Sequence, residues 1–291
     1  MQKFSIFFNL FALFLLSSCA TLPESPEALT IPQRASSALG ASQLEKKLAE
    51  ADEGQREDII FTELQSGNIP GFLRHQVPVR FLSKTRSGEA KTVVLWSLPD
   101  YLALGNDRDF VRVPMSSVTA QRVADSYHLM LPTAKIVDVL YQTADIQLKP
   151  QPFKPGPSMV KTSEFYKHQD VIQKQLGGKV PKELLAGHKK DIVLTNKIAM
   201  RPDKVAIYGW HQVGGQPIQP LSAVHGYWYA DYSHGIRLIS PYVRINKELK
   251  KIVEVLRDPE LAPLLSYEGP LSIVRYPTEN LSLNRKWWPA L

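Results

Sequence analysis

The chain has 291 residues, 44% hydrophobic and 22% charged, ordinary for a soluble globular protein and long enough to bury a core without cross-links. Its formal net charge is +7, but no run of Lys/Arg interleaved with aromatics marks a nucleic-acid groove, so nucleic acid is not an expected partner. The single cysteine, Cys19, excludes a disulfide, a thiolate nucleophile and a Cys-based metal site from everything downstream of it.

Residues 1–19 read as an export signal. Lys3 supplies a short positive region, and residues 4–16 form an apolar stretch of signal-peptide length, too short to span a membrane comfortably. The stretch ends Leu16-Ser17-Ser18-Cys19, which closely resembles the lipobox of bacterial lipoproteins. That resemblance implies removal of residues 1–18 and lipidation of Cys19, with the membrane as a partner through the anchor. Ala20 in place of Asp resembles sorting to the periplasmic face of the outer membrane in a Gram-negative cell. Residues 20–41 are rich in Pro, Ser, Ala and Thr without periodicity and read as a flexible tether.

A single globular domain is expected over residues 42–291. Ser42-Gln43-Leu44-Glu45 fits a capping box, and a second helix is expected over residues 55–66, stopped by Gly67. Residues 77–82 and 92–97 read as strands around Arg86-Ser87-Gly88. Residues 100–104 and 110–113 pair around Gly105-Asn106-Asp107. Ser116 or Ser117, Thr133 and Ser163 each cap a helix. The proline-rich residues 148–158 are the candidate sub-domain boundary. Residues 181–186 read as a helical turn. Strands follow at 191–195, 204–210, 224–230 and 236–244, and residues 249–265 are partly helical. The tail, with Trp287-Trp288, is expected to dock on the body. Strands and helices interleave without regular βαβ spacing, which predicts an α+β fold, or an irregular α/β one, with a mixed sheet and peripheral helices. No Gly-rich phosphate loop occurs, so no nucleotide cofactor is expected.

Residues 205–240 concentrate the chemistry. They hold His211, His225 and His234, three of the chain's seven histidines, among closely spaced Tyr and Trp. As a strand, residues 224–231 would present His225, Tyr227, Tyr229 and Asp231 on one face, with Ser233-His234-Gly235 as a turn at its end. His211 ends an earlier strand, and Gly187-His188-Lys189-Lys190-Asp191 is a second polar loop feeding a strand. Three chemistries fit these residue types. His211, His225, Asp231 and His234 could ligate zinc, although no H-E-x-x-H or H-x-H spacing occurs. Ser233 could act as a nucleophile with His225 or His211 as base, although no G-x-S-x-G elbow occurs. A His–Asp pair could do metal-free acid–base work, with Arg237 holding an anion. Tyr227, Tyr229, Trp210 and His188 would contact substrate. The same aromatic surface also suits non-catalytic binding of a sugar or peptide.

Ser233-His234-Gly235-Ile236-Arg237-Leu238, preceded by His225-Gly226, resembles part of the S-H-G-C-[I/V]-R motif of the L,D-transpeptidases that cross-link peptidoglycan. The similarity covers about fifteen residues. The family's nucleophilic cysteine is missing between Gly235 and Ile236, so the transpeptidase reaction does not carry over. More broadly, residues 187–194, 207–211 and 231–238 resemble segments shared by a set of uncharacterised exported bacterial proteins, a resemblance that strengthens the location of the site and implies no activity. The expectation is an envelope-anchored hydrolase of wall or exported glycan or peptide, or a non-catalytic lipoprotein that binds peptidoglycan, polysaccharide or a protein partner.

Overall fold

A computed structural model describes residues 25–180 and 182–278. The leader with Cys19, and Trp287-Trp288, lie outside the described residues.

Caps set the first helices. Helix α1 (Ala41–Glu50) begins at Gly40, whose N–H donates to the Gln43 side chain at 2.9 Å. Ser42, the expected cap, instead donates from its hydroxyl to Asp109 at 2.7 Å. Helix α2 (Glu53–Gln65) is capped by Asp52, with Asp52 and Gln55 bonded reciprocally. Strands β1 (Val77–Lys84) and β2 (Ala90–Ser97) pair antiparallel as read. The hairpin β3 (Ala103–Asn106) and β4 (Asp109–Arg112) turns at residues 107–108, two positions later than the glycine had placed it. Ser116 and Thr133 cap α3 (Ser117–Ser126) and α4 (Ala134–Thr143) through their hydroxyls. Strand β5 (Ile146–Gln147) lies before α5 (Thr162–Gln175) and pairs in parallel with β6 (Leu185–Ala186), where a helical turn had been expected.

The remaining elements carry the site. They are β7 (Lys190–Ile192), β8 (Ile207–His211), β9 (Pro217–Ser222), β10 (His234–Gly235), β11 (Ile239–Ile245), β12 (Glu248–Lys251) and α6 (Ile252–Arg257). One sheet has the order β1-β2-β11-β12 and is antiparallel; the other has the order β10-β7-β8-β9 and is mixed, β10 lying parallel to β7. The fold is α+β. The segment read as one strand over 236–244 starts in the second sheet at His234 and enters the first at Ile239. Between them, Leu98 and Leu102 donate backbone bonds to Leu238 and Ile236. The main hydrophobic core draws on residues from Ile31 to Tyr276, on both sides of residues 148–158. Residues 25–40 lie against this body. Ile31 is buried, and the Arg34 guanidinium donates to the Asn68 side chain and the Gly105 carbonyl.

Candidate functional site

The second sheet is the spine of the site. Lys190 sits in register with His234 on one side and Gly209 on the other; Asp191 sits between Gly235 and Tyr208. Plain alternation would send Tyr208 and Trp210 to one face and His211 to the opposite one. The register shifts in β8 instead, and Gly209 (φ +104°) and Trp210 (φ +57°) are consecutive left-handed residues. Left-handed backbone is strained for a bulky residue such as Trp210. The result is that Tyr208 and His211 meet the same carboxylate, Asp138 of α4. Trp210 turns to the other side and packs with Phe165 and Tyr232. Gly235 has a different reason to be glycine, since a Cβ there would fall 2.6 Å from the Tyr101 ring.

On the Trp210 side, residues 224–230 do not form the expected strand. They are turns with a single bridge between Lys204 and Gly226. His225 and Tyr229 nevertheless come together, as parallel rings with centroids 4.2 Å apart. The Tyr229 hydroxyl donates to Asp231 Oδ2 at 3.1 Å. Asp231 Oδ1 accepts both the backbone N–H and the hydroxyl of Ser233, at 2.8 and 2.5 Å. Lys190 Nζ and His234 Nε2 each stand 4.0 Å from Asp231 Oδ2. Both ring nitrogens of His234 lack a hydrogen-bond partner among the described residues. His225, Tyr227 and Tyr229 are half-buried, whereas Asp231, Ser233 and His234 are fully buried.

Burial sets the protonation states here. It pushes His234 down to about 4 against the pull of Asp231. It also lowers His225, with Asp231 opposing and Lys190 and Lys204 adding to the shift, so this accessible imidazole is neutral at pH 7. Burial works to raise Asp231, but the charges of His234 and Lys190 and the two bonds from Ser233 hold it below the usual carboxylate range.

The opposite side carries a separate polar cluster. His211 Nε2 meets Asp138 Oδ1 at 2.7 Å, and the hydroxyls of Tyr208 and Tyr267 donate to the same carboxylate. Tyr141 stacks on the His211 ring at 4.5 Å. Next to it, Tyr101 donates to Asp191 at 2.8 Å. Burial pushes that carboxyl up to about 6, with Arg237 and Tyr101 opposing. Deeper still, Asp100 holds Arg112 and His188. Burial lowers His188 to about 4 and Lys189 to about 7, and Lys189 donates to the Tyr232 carbonyl at 2.6 Å.

Several expected roles are thereby corrected. His211 belongs to the Asp138 cluster, not to the His225 group. Arg237 does not wait for an anion. Its guanidinium donates to the Leu98 and Leu185 carbonyls, lies over the Tyr101 ring and is 1% exposed. His188 and Trp210 are buried and cannot contact substrate as they stand. Ser233 spends its hydroxyl on Asp231 and is hydrogen-bonded to neither His225 nor His211, so the structure gives it a turn-forming role. The proposed zinc set does not converge. His211 is on the other side, where it meets Asp138, Asp231 is engaged by Ser233 and Tyr229, and no cluster of three or more His, Cys, Asp or Glu side chains suited to a metal occurs among the described residues.

Sequence reasoning missed Lys190 and Asp138. Lys190 lay in the polar loop already singled out, but nothing in one sequence ranks it above Lys189. Asp138 was hidden between Val137 and Val139 of a core-packing helix. Comparison of the chain with protein-family models, curated proteins and solved structures finds no match. The fold and site together define an α+β protein with two polar clusters back to back across one small sheet, only one of which brings an imidazole to the surface.

Proposed function

We propose that the protein is an envelope-anchored hydrolase of an acyl bond in wall or exported peptide, held at the membrane by lipidated Cys19, with His225 as general base. The observation that carries this reading is the convergence of His225, Tyr229, Asp231, Lys190 and His234, in which His225 alone among the imidazoles is both accessible and neutral. Clusters of shifted titratable groups of this kind mark sites of chemistry. In the reaction, a water proton passes to His225 and the oxygen bonds the acyl carbon. Lys190 faces the oxygen that becomes negative. The C–N or C–O bond then breaks, and His225 returns the proton to the leaving group. One carboxylate, itself buried, favours acyl over glycosidic hydrolysis, which uses a pair.

A second reading also has an observation behind it. Asp231, Ser233 and His234 are sealed, whereas Tyr227, Trp228 and Tyr229 form a half-exposed rim beside Val224 at 64% exposure. That arrangement suits non-catalytic binding of wall polymer or a protein partner. Incubation with purified peptidoglycan, followed by mass spectrometry of the soluble products, separates the two. Released peptide fragments that vanish with His225→Ala support hydrolysis; binding to sacculi without products supports the second reading.

A further inference from the structure

We propose that the free edge of β1 binds an extended acidic segment of a partner protein, which pairs with it as an added strand, independently of the His225 site. Strand β1 stands at the end of the order β1-β2-β11-β12, so only one of its two edges is paired. The Thr85 N–H donates to the Glu89 carbonyl, which continues the β1–β2 ladder and fixes its phase. Bonded and non-bonded pairs alternate along antiparallel strands. Val79, Phe81 and Ser83 therefore bond to β2, and the N–H and C=O groups of Arg80, Leu82 and Lys84 point to the free edge. Pro78, which has no N–H to give, falls in the same outward phase. No backbone or side-chain group bonds to these edge groups among the described residues.

A cleft of about 530 Å³ adjoins this edge, lined by residues 81–84 of β1, by Lys135 and Val139 of α4, and by Tyr267. It is formed before anything binds. The Lys135 ammonium ties α4 to β1 by donating to the Ser83 hydroxyl at 2.9 Å, and the Tyr267 hydroxyl is fixed on Asp138 at 2.7 Å. Leu82 and Tyr267 leave apolar surface uncovered there, at 77% and 63% exposure. Charge selects the occupant. Arg80, Leu82 and Lys84 share the exposed face of β1. Neither Arg80 nor Lys84, nor Lys135, has a carboxylate within ion-pair distance among the described residues. A second copy of β1 laid antiparallel on this edge, Leu82 against Leu82, would set Arg80 opposite Lys84, and like charges directly opposite destabilise a strand pair. An acidic strand reverses the sign. Carboxylates four residues apart then face Arg80 and Lys84, an apolar residue midway faces Leu82, and the residues between point inward toward Val139 and Tyr267. Edge charges also guard sheets against aggregation, but a guarded edge has no need of an exposed Leu82 between them.

The test uses two end-blocked peptides, Thr-Glu-Val-Leu-Val-Glu-Thr and Thr-Lys-Val-Leu-Val-Lys-Thr, each carrying a fluorophore, titrated with the purified protein and read by fluorescence anisotropy. The acidic peptide binds about tenfold or more tightly than the basic one. Arg80→Glu combined with Lys84→Glu inverts that preference. Leu82→Pro abolishes binding, because it removes an outward N–H that the β1–β2 ladder does not use. Near-ultraviolet circular dichroism confirms that each variant is folded. Binding of neither peptide, equal affinity for both, or undiminished binding by folded Leu82→Pro overturns the proposal. So does a dimer of the protein alone in sedimentation velocity that Leu82→Pro dissolves, since the edge then belongs to a second copy.

Discussion

Acid should unfold this protein well above the pH at which its carboxylates titrate. His188 and His234 are buried neutral, each lowered by burial from 6.5 to about 4, and burial lowers His168 further still. A lowered imidazole pKa means that the unfolded chain takes up the proton first. The stability these groups contribute is therefore complete above pH 6.5 and is lost as the pH falls toward the folded value. Each pKa unit is worth ~1.4 kcal/mol, so each imidazole loses on the order of 3 kcal/mol between pH 6.5 and 4. Asp191 runs the other way. Raised to about 6, it adds stability as the pH falls through that value, again on the order of 3 kcal/mol. Glu57, raised by burial, offsets a little more. The net loss is on the order of 5 kcal/mol, comparable with the whole stability of an ordinary domain. Urea unfolding followed by tryptophan fluorescence from pH 7.5 to 4 measures it directly. The midpoint should fall steeply between pH 6.5 and 4.5, and His234→Asn should remove roughly half or more of the dependence. A midpoint that holds constant to pH 4.5 refutes the claim that these imidazoles are buried and neutral.

Other outcomes follow from the same geometry. His225→Ala should lower kcat/KM by about a hundredfold or more while leaving the melting temperature nearly unchanged, because the side chain is half-exposed; a stability assay run beside the kinetics checks both halves. Ser233→Ala should cost about 1–2 kcal/mol of stability through the lost bond to Asp231 but retain turnover, which a nucleophile could not. Asp100→Ala leaves the buried Arg112 without its carboxylate partner and should cost about 3–5 kcal/mol, seen as loss of the cooperative melt. Prolonged dialysis against a chelator should leave product formation intact, since the His225 group is not built as a ligand set.

How much of this the sequence discloses depends on the range of the interactions involved. Capping by Ser116 and Thr133 is local chemistry and reads directly from residue type. The strands β1 and β2 read equally well, because their Val, Leu and aromatic content and the turn between them are local signals. Strand alternation misleads at 224–231, where turns replace a strand, and at Trp210, where a left-handed step switches the face on which His211 emerges. The residues grouped by proximity in the chain, His225, Tyr229, Asp231 and His234, do assemble. Those grouped only by chemical type, His211, His188 and Arg237, do not. They are satisfied by Asp138, Asp100 and two backbone carbonyls far away in sequence. A carboxylate drawn from a helix some seventy residues away leaves no mark in the local pattern. The burial of Ser233 and His234 is likewise set by elements that close over them.

The most direct measurement of the central claim is isotopic. Wall peptides incubated with the protein in water enriched in oxygen-18 should yield a new carboxyl group carrying one heavy oxygen. The label should be absent from products of His225→Ala and present in those of Ser233→Ala. No labelled product from the unaltered protein, or labelling that persists in folded His225→Ala, contradicts His225 as the base of a hydrolytic site.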